Sequence, residues 1–265
     1  TLGLGVAAGG WLTSSHYLGY LIGVVVSFTL VTIKQKERFL LFGLLSSILS
    51  TVLMATTTSF LYWAAIRFVA GFSGSAGVII GAGLIMRWLQ DKSNSPPQLG
   101  FYFSGIGVGI ILSGIASIYF SRNNFSWDEH WLGFGVLSLI LFFPAWLYRP
   151  VIKDIPSNKQ VLTDSKSKDR TLSTEFFCIL VMYFFAGLGF VVSATFAIAL
   201  AVERDFVQEN SLLAWLLFGL VSIPSLFFWD FIEKKFSMFL ALFSAITMHA
   251  ASLILSAIFL IVPLK

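Results

Sequence analysis

The sequence predicts an all-α, polytopic membrane protein, and three observations carry that reading. Hydrophobic residues make up 57% of the 265 positions against 11% charged, which lies outside the soluble globular class. The apolar residues gather in eight long stretches, 11–33, 39–58, 60–88, 99–120, 131–148, 175–200, 211–229 and 237–262, where about 20 residues suffice to span a bilayer. Of 17 basic and 13 acidic residues, only Arg67 lies well inside such a stretch. Helices follow because lipid offers backbone groups no other partner, and no alternating barrel pattern occurs.

Taken in order, 11–33 carries His16, Tyr17 and Tyr20 near its start, and 39–58 follows the basic cluster Lys34, Lys36 and Arg38. The 60–88 stretch holds Trp63, Arg67 and the glycines Gly71, Gly74, Gly77 and Gly81, and 99–120 holds Gly105, Gly107 and Gly109. These small residues at helical spacing let helices approach closely or slide. The Gly105 to Gly109 run is no dinucleotide loop, because it follows no strand and lies in a span. The 175–200 stretch contains Cys178, Tyr183, Ser193 and Thr195, 211–229 precedes Asp230, Lys234 and Lys235, and 237–262 contains His249.

Lys and Arg concentrate in the 34–38, 89–98, 149–174 and 230–236 segments, whereas the alternate loops and the end of the chain hold Arg122, Arg204 and Lys265. The positive-inside rule therefore puts the first set in the cytoplasm and both chain ends outside. The net charge of +4 reports this topology and gives no reason to expect nucleic acid, since the bases are spread over four loops. Cys178 is alone and inside a span, so no disulfide framework, metal cluster or cofactor site is expected. An enzyme would need clustered nucleophiles, acids, bases or metal ligands, and the sequence shows none. Asn124-Phe-Ser126 matches a glycosylation acceptor by its tripeptide alone.

Shifting the chain by 200 positions pairs Gly19 with Gly219, Lys34 with Lys234, Phe39 with Phe239 and Leu40 with Leu240. A span, basic turn, span unit thus recurs in the same orientation. The polar 149–174 segment, with Pro150 and Pro156, reads as a linker between two halves. The chain starts at Thr1 with no signal-like segment and reads as a fragment. Completing both halves to six helices gives a twelve-helix protein with parallel repeats, of which about eight helices are present. The expected domains are 1–148 (helices 2 to 6 of a first bundle), the cytoplasmic linker 149–174, and 175–265 (helices 7 to 9 of a second bundle).

The motifs resemble the major facilitator superfamily. The run from Arg67 through Gly71, Gly74 and Ala76 to Gly77 resembles its fourth-helix signature. Gly10 to Gly23, with His16, Gly19 and Tyr20, is similar to the second helix of the bacterial YbfB/YjiJ-like branch. Ser104 to Gly114 and Gly187 to Phe196 resemble its fifth and seventh helices. The turn at Lys34 keeps the family's bases but lacks its Asp, while Asp230, Lys234 and Lys235 keep both; the fifth helix has no Pro of the drug-antiporter kind. The resemblance implies a two-bundle fold lacking its first and last three helices, multi-pass residence in a bacterial inner membrane, and alternating-access transport of a small solute, with protons as a candidate coupling ion. It also implies that Arg67 lines the central cavity and that Tyr183 faces it.

A charge at mid-bilayer depth costs about 2.5–3.5 kcal/mol on insertion scales, so Arg67 is the leading functional candidate. Its fork of donors suits an anionic substrate group, a carboxylate that gives up a proton, or backbone carbonyls of a neighbouring helix. Trp63, Tyr183, His16 and Tyr20 are candidates for the same pathway, and Lys34, Arg38, Asp230, Lys234 and Lys235 for a cytoplasmic gate. Gly71, Gly74, Gly77, Gly105 and Gly109 are the packing candidates. His249 reads as hydrogen-bonded to a neighbour, His130 as a loop residue, and Glu203, Asp205 and Glu209 as solvated charge. The competing readings are a non-transporting membrane partner or sensor, and an inactive truncated fragment.

Overall fold

The computed structural model describes residues 5–92, 99–147, 149, 174–203 and 208–261. Among these the regular elements are helical: α1 Val6–Thr29, α2 Ile33–Leu53, α3 Phe60–Ser75, a π-helical segment Ala76–Gly81, α4 Ala82–Lys92, α5 Gly100–Arg122, α6 Trp127–Leu147, α7 Thr174–Glu203, α8 Gln208–Lys235 and α9 Met238–Ile261. α3, the π segment and α4 run on without a break, so each expected span corresponds to one helical rod.

Among the described residues, five rods are long and apolar enough to cross a membrane: Phe60–Asp91, Gly100–Arg122, Trp127–Leu147, Trp215–Lys235 and Met238–Leu255. A shorter apolar run covers Phe177–Val191. The difference from eight expected spans has a chemical reason in the first two rods. α1 carries Ser14, Ser15, His16, Tyr17 and Tyr20 in mid-helix, and α2 opens with Lys34, Lys36, Glu37 and Arg38.

Several helix boundaries move, and capping explains two of the shifts. Thr32 Oγ1 accepts from the Gln35 amide at 3.2 Å while Gln35 Oε1 accepts from the Thr32 amide at 3.0 Å. This capping box, in which losing a good N-cap costs about 1 kcal/mol, starts α2 at Ile33 and makes the basic cluster Lys34 to Arg38 helical instead of a loop. Likewise the Ser126 amide and hydroxyl both donate to Glu129 Oε2, at 2.6 and 2.9 Å. α6 consequently begins at Trp127, not at 131, with Asp128 and Glu129 in the first turn where the helix dipole favours them. α8 runs past Pro224 to Lys235, so Asp230, Lys234 and Lys235 ride on its last turns, and the two lysines face the negative end of its dipole.

The chain divides into two compact units, Thr1–Lys153 with Asp205–Leu226, and Asp154–Arg204 with Phe227–Lys265. In the first unit α1 and α3 run parallel and touch main chain to main chain. A Cβ on Gly19 would overlap the Phe68 carbonyl, one on Gly71 the His16 carbonyl, and one on Gly23 the Ser75 hydroxyl. Ser15 Oγ crosses the same seam to donate to the Ala64 carbonyl at 2.7 Å. Small residues and crossing hydroxyls are what bring helices together in lipid, which supplies no hydrophobic drive between them. α5 meets the first half of α8 through Gly107, Gly114 and Gly219.

Two buried apolar clusters lie along the α1 to α4 rods. One is Leu12, Met54, Trp63 and Ile66, with Leu53, Ala64, Trp127 and Trp131 packed against it; the other is Ile33, Ile80 and Leu84, with Leu30, Phe39, Leu40 and Trp88. Beside the second, the Tyr102 hydroxyl of α5 donates to the Gly77 carbonyl inside the π segment and fills the space over Gly81. In the second unit, α7 meets α9 where Leu253 and His249 cover Gly189.

Candidate functional site

Arg67 is the eighth residue of α3, which begins at Phe60, so it sits about 10 Å along the rod at 1.5 Å per residue. Its guanidinium carbon lies 5.0 Å from the centroid of the Trp131 ring, within the range of a cation–π contact. Among the described residues Arg67 has no hydrogen-bond or ion-pair partner. Backbone carbonyls of neighbouring helices, one of its expected partners, do not take its donors.

The start of α6 sets this contact. Because Ser126 and Glu129 begin the helix at Trp127, Trp127 and Trp131 stand one turn apart on one face. The Trp127 ring meets the Trp63 ring edge to face, with centroids 5.8 Å apart at 71°. Trp63 is only 3% exposed, and its indole N–H donates to the Met54 carbonyl at 3.1 Å. Trp63 is thus a wall that ties α3 to the end of α2 and has no donor left to offer a ligand.

α1 brings the imidazole. His16 is half-buried, its ring within electrostatic reach of the Arg67 guanidinium and main chain, and its Nδ1 is buried without a hydrogen-bond partner. The ring lies edge to face with Tyr17 at 5.9 Å. One turn on, the half-buried Tyr20 ring stands 3.9 Å from where a Gly74 Cβ would be. The structure therefore gathers Arg67, Trp63, His16, Tyr20, Gly71 and Gly74 along one helix seam.

The other candidates lie elsewhere. Tyr183 belongs to the second unit, on α7, and is 59% exposed. Lys34 and Arg38 are exposed on the first two turns of α2. Asp230 is half-buried near the end of α8, and the Lys235 ammonium lies over the Phe231 and Phe236 rings at 5.4 and 5.6 Å. Gly77, Gly105 and Gly109 have open space where a Cβ would stand. Among the five packing candidates Gly71 makes a close approach, and further tight contacts fall on Gly19, Gly23, Gly81 and Gly107. His249 Nε2 is buried without a partner, in place of the expected bond to a neighbour. The side chains of Ser193, Thr195, Glu203, Asp205 and Glu209 lie outside the described residues, as does the 149–174 linker apart from Arg149 and the start of α7.

Trp127 and Trp131 escaped the reading of the sequence. Their signal was present: Ser126-x-x-Glu129 is a capping-box pattern, and tryptophans four apart behind it share a helix face.

Residues 1–262 match the family described as "Uncharacterised MFS-type transporter YbfB". The chain belongs to this family. It is a multi-pass membrane protein of MFS type with an all-α fold. It is also similar to "Uncharacterized transporter mfc1" of Schizosaccharomyces pombe, at 27% identity over 144 residues, which is 52% of this chain and 29% of that protein. The chain thus spans less than a third of the length of that relative. No solved structure matches it.

Proposed function

We propose that this MFS-type chain moves a small solute across the membrane by alternating access, as a secondary transporter, with Arg67, His16 and Tyr20 facing the solute. The observation that carries the reading is Arg67: a guanidinium about 10 Å along a spanning helix, steadied by the Trp131 ring and claimed by no described donor–acceptor pair. Embedding it costs about 3 kcal/mol, and a desolvated cation–π contact returns about 2. The arrangement is therefore sustainable without an internal counter-charge, and the donors stay available.

In this reading Tyr183 lines the pathway from the second bundle, and Trp63 supports Arg67 from behind. The domains are 1–148, a linker at 149–174 and 175–265, with Lys34, Arg38, Asp230, Lys234 and Lys235 at a cytoplasmic gate. Both of the apolar seams built on small residues suit helices that must shift against each other. Protons are the coupling ion in this reading, with His16 as the titrating group beside Arg67. The setting is a bacterial inner membrane, by the branch the chain resembles.

The test is solute flux in proteoliposomes. Arg67→Ala should abolish net flux of the transported solute, and unchanged flux of every solute that the parent protein moves would sink the reading.

A further inference from the structure

We infer that the solute group met by Arg67 is a carboxylate carrying a single negative charge, an inference that rests on the reading of Arg67 as solute-facing. The first ground is what surrounds the guanidinium. The acids closest in sequence to its contact residue Trp131 are Asp128 and Glu129, and both lie in the first turn of α6: Glu129 accepts from the Ser126 amide and hydroxyl, and Asp128 is its neighbour there. Neither pairs with Arg67, and the end of α2 offers only Leu53 and Met54 to the same cluster.

The second ground is the polar inventory. Trp63 spends its N–H on the Met54 carbonyl and Ser15 its hydroxyl on the Ala64 carbonyl. What remains unpartnered at this end of the seam, among the described residues, is the Arg67 fork and the buried His16 Nδ1. The fork is acceptor-seeking at every position, and its planar edge matches two oxygens held in one plane. The Trp131 contact holds the guanidinium against an aromatic face, and Trp131 in turn packs against the apolar cluster of Leu12, Met54, Trp63 and Ile66.

The third ground is charge balance. With the His16 imidazole neutral, one carboxylate neutralises one guanidinium and leaves the site neutral, the condition that a low-dielectric site favours. A phosphate monoester, with its charge close to two at neutral pH, would leave an uncompensated negative charge among apolar side chains. A neutral or cationic solute would offer the Arg67 fork no anionic acceptor.

The test uses the full chain in lipid nanodiscs and follows Trp131 fluorescence, identified by its loss in Trp131→Phe. The probes are carboxylates with their amides: benzoate with benzamide, lactate with lactamide, nicotinate with nicotinamide. At least one carboxylate should bind about tenfold or more tightly than its amide, the effect of one hydrogen bond to a charged group. That preference should vanish in Arg67→Gln and persist, weakened, in Arg67→Lys, which keeps the charge without the fork. Should Arg67→Gln fail to assemble, Arg67→Lys carries the test, and it is expected to reduce the preference severalfold.

No carboxylate preferred over its amide, or a preference untouched in Arg67→Lys, would overturn the inference. So would rescue of an unstable Arg67→Gln by neutralising one particular Asp or Glu, which would show that an acid of the protein is the partner. Flux separates the two claims. Carboxylate binding without flux defeats the transport reading and leaves the anion site standing, whereas flux of a neutral or cationic solute with no carboxylate preference does the reverse.

Discussion

Two histidines, His16 in α1 and His249 in α9, each hold a buried ring nitrogen with no hydrogen-bond partner among the described residues, but their settings differ. His16 lies in a seam where main chains touch, with its own carbonyl over Gly71 and Arg67 beside its ring. His249 lies over Gly189 together with Leu253, and there the contacts are side-chain ends. A buried polar atom left unpaired costs about 1–3 kcal/mol. At His16 that cost is borne within electrostatic reach of a guanidinium that has no described hydrogen-bond partner either. At His249 a single nitrogen packs among apolar neighbours. An unsatisfied atom thus marks a site when it has polar company, and marks a packing compromise when it has none.

The seams should separate most sharply under overpacking. Gly71→Val should destabilise the first unit by about 3 kcal/mol or more, the upper end for inserted volume, because the His16 main chain cannot move aside. Unfolding in mixed micelles measures it, and a loss below about 1 kcal/mol would show that the α1–α3 contact is softer than its geometry. Next come the histidines themselves. His249→Leu removes an unpaired atom at similar volume and should raise stability by about 1 kcal/mol with flux intact. His16→Leu should raise stability comparably but remove flux; equal flux in both variants would erase the distinction drawn between them.

A smaller effect is expected at Gly189→Ala, about 1 kcal/mol or less, since Leu253 and the His249 ring can turn aside. The smallest belongs to Gly109→Ala, within about 0.5 kcal/mol, as nothing stands within 4 Å of the added carbon. A thermal midpoint that falls as far for Gly109→Ala as for Gly71→Val would mean that the two glycine faces are not distinguished in the membrane.

Much of the fold was legible because the bilayer imposes a strong rule: long apolar runs must be helices, and each of the eight stretches corresponds to a rod. The boundaries were less legible, since apolar character fades over several residues while a cap acts at one. Thr32 with Gln35 and Ser126 with Glu129 decide where α2 and α6 begin, and both pairs could have been found as capping patterns. The site was half legible. Arg67 stands out in any hydropathy reading, and His16 and Tyr20 do lie along its seam. Trp131 did not stand out, because a tryptophan near the end of a span is ordinary in membrane proteins.

By itself the sequence determined that this is an all-α polytopic chain with one embedded cation, since solvent preference per residue is a local property that a bilayer reads along the chain. Tertiary structure alone decided which glycines carry the packing, Gly19, Gly23 and Gly71 against the open Gly77, Gly105 and Gly109. It alone decided that Arg67 meets an indole face and, among the described residues, no carboxylate. Those outcomes depend on how each helix is rotated about its axis and on what the neighbouring helix presents, and neither is encoded in the spacing of residues along one helix.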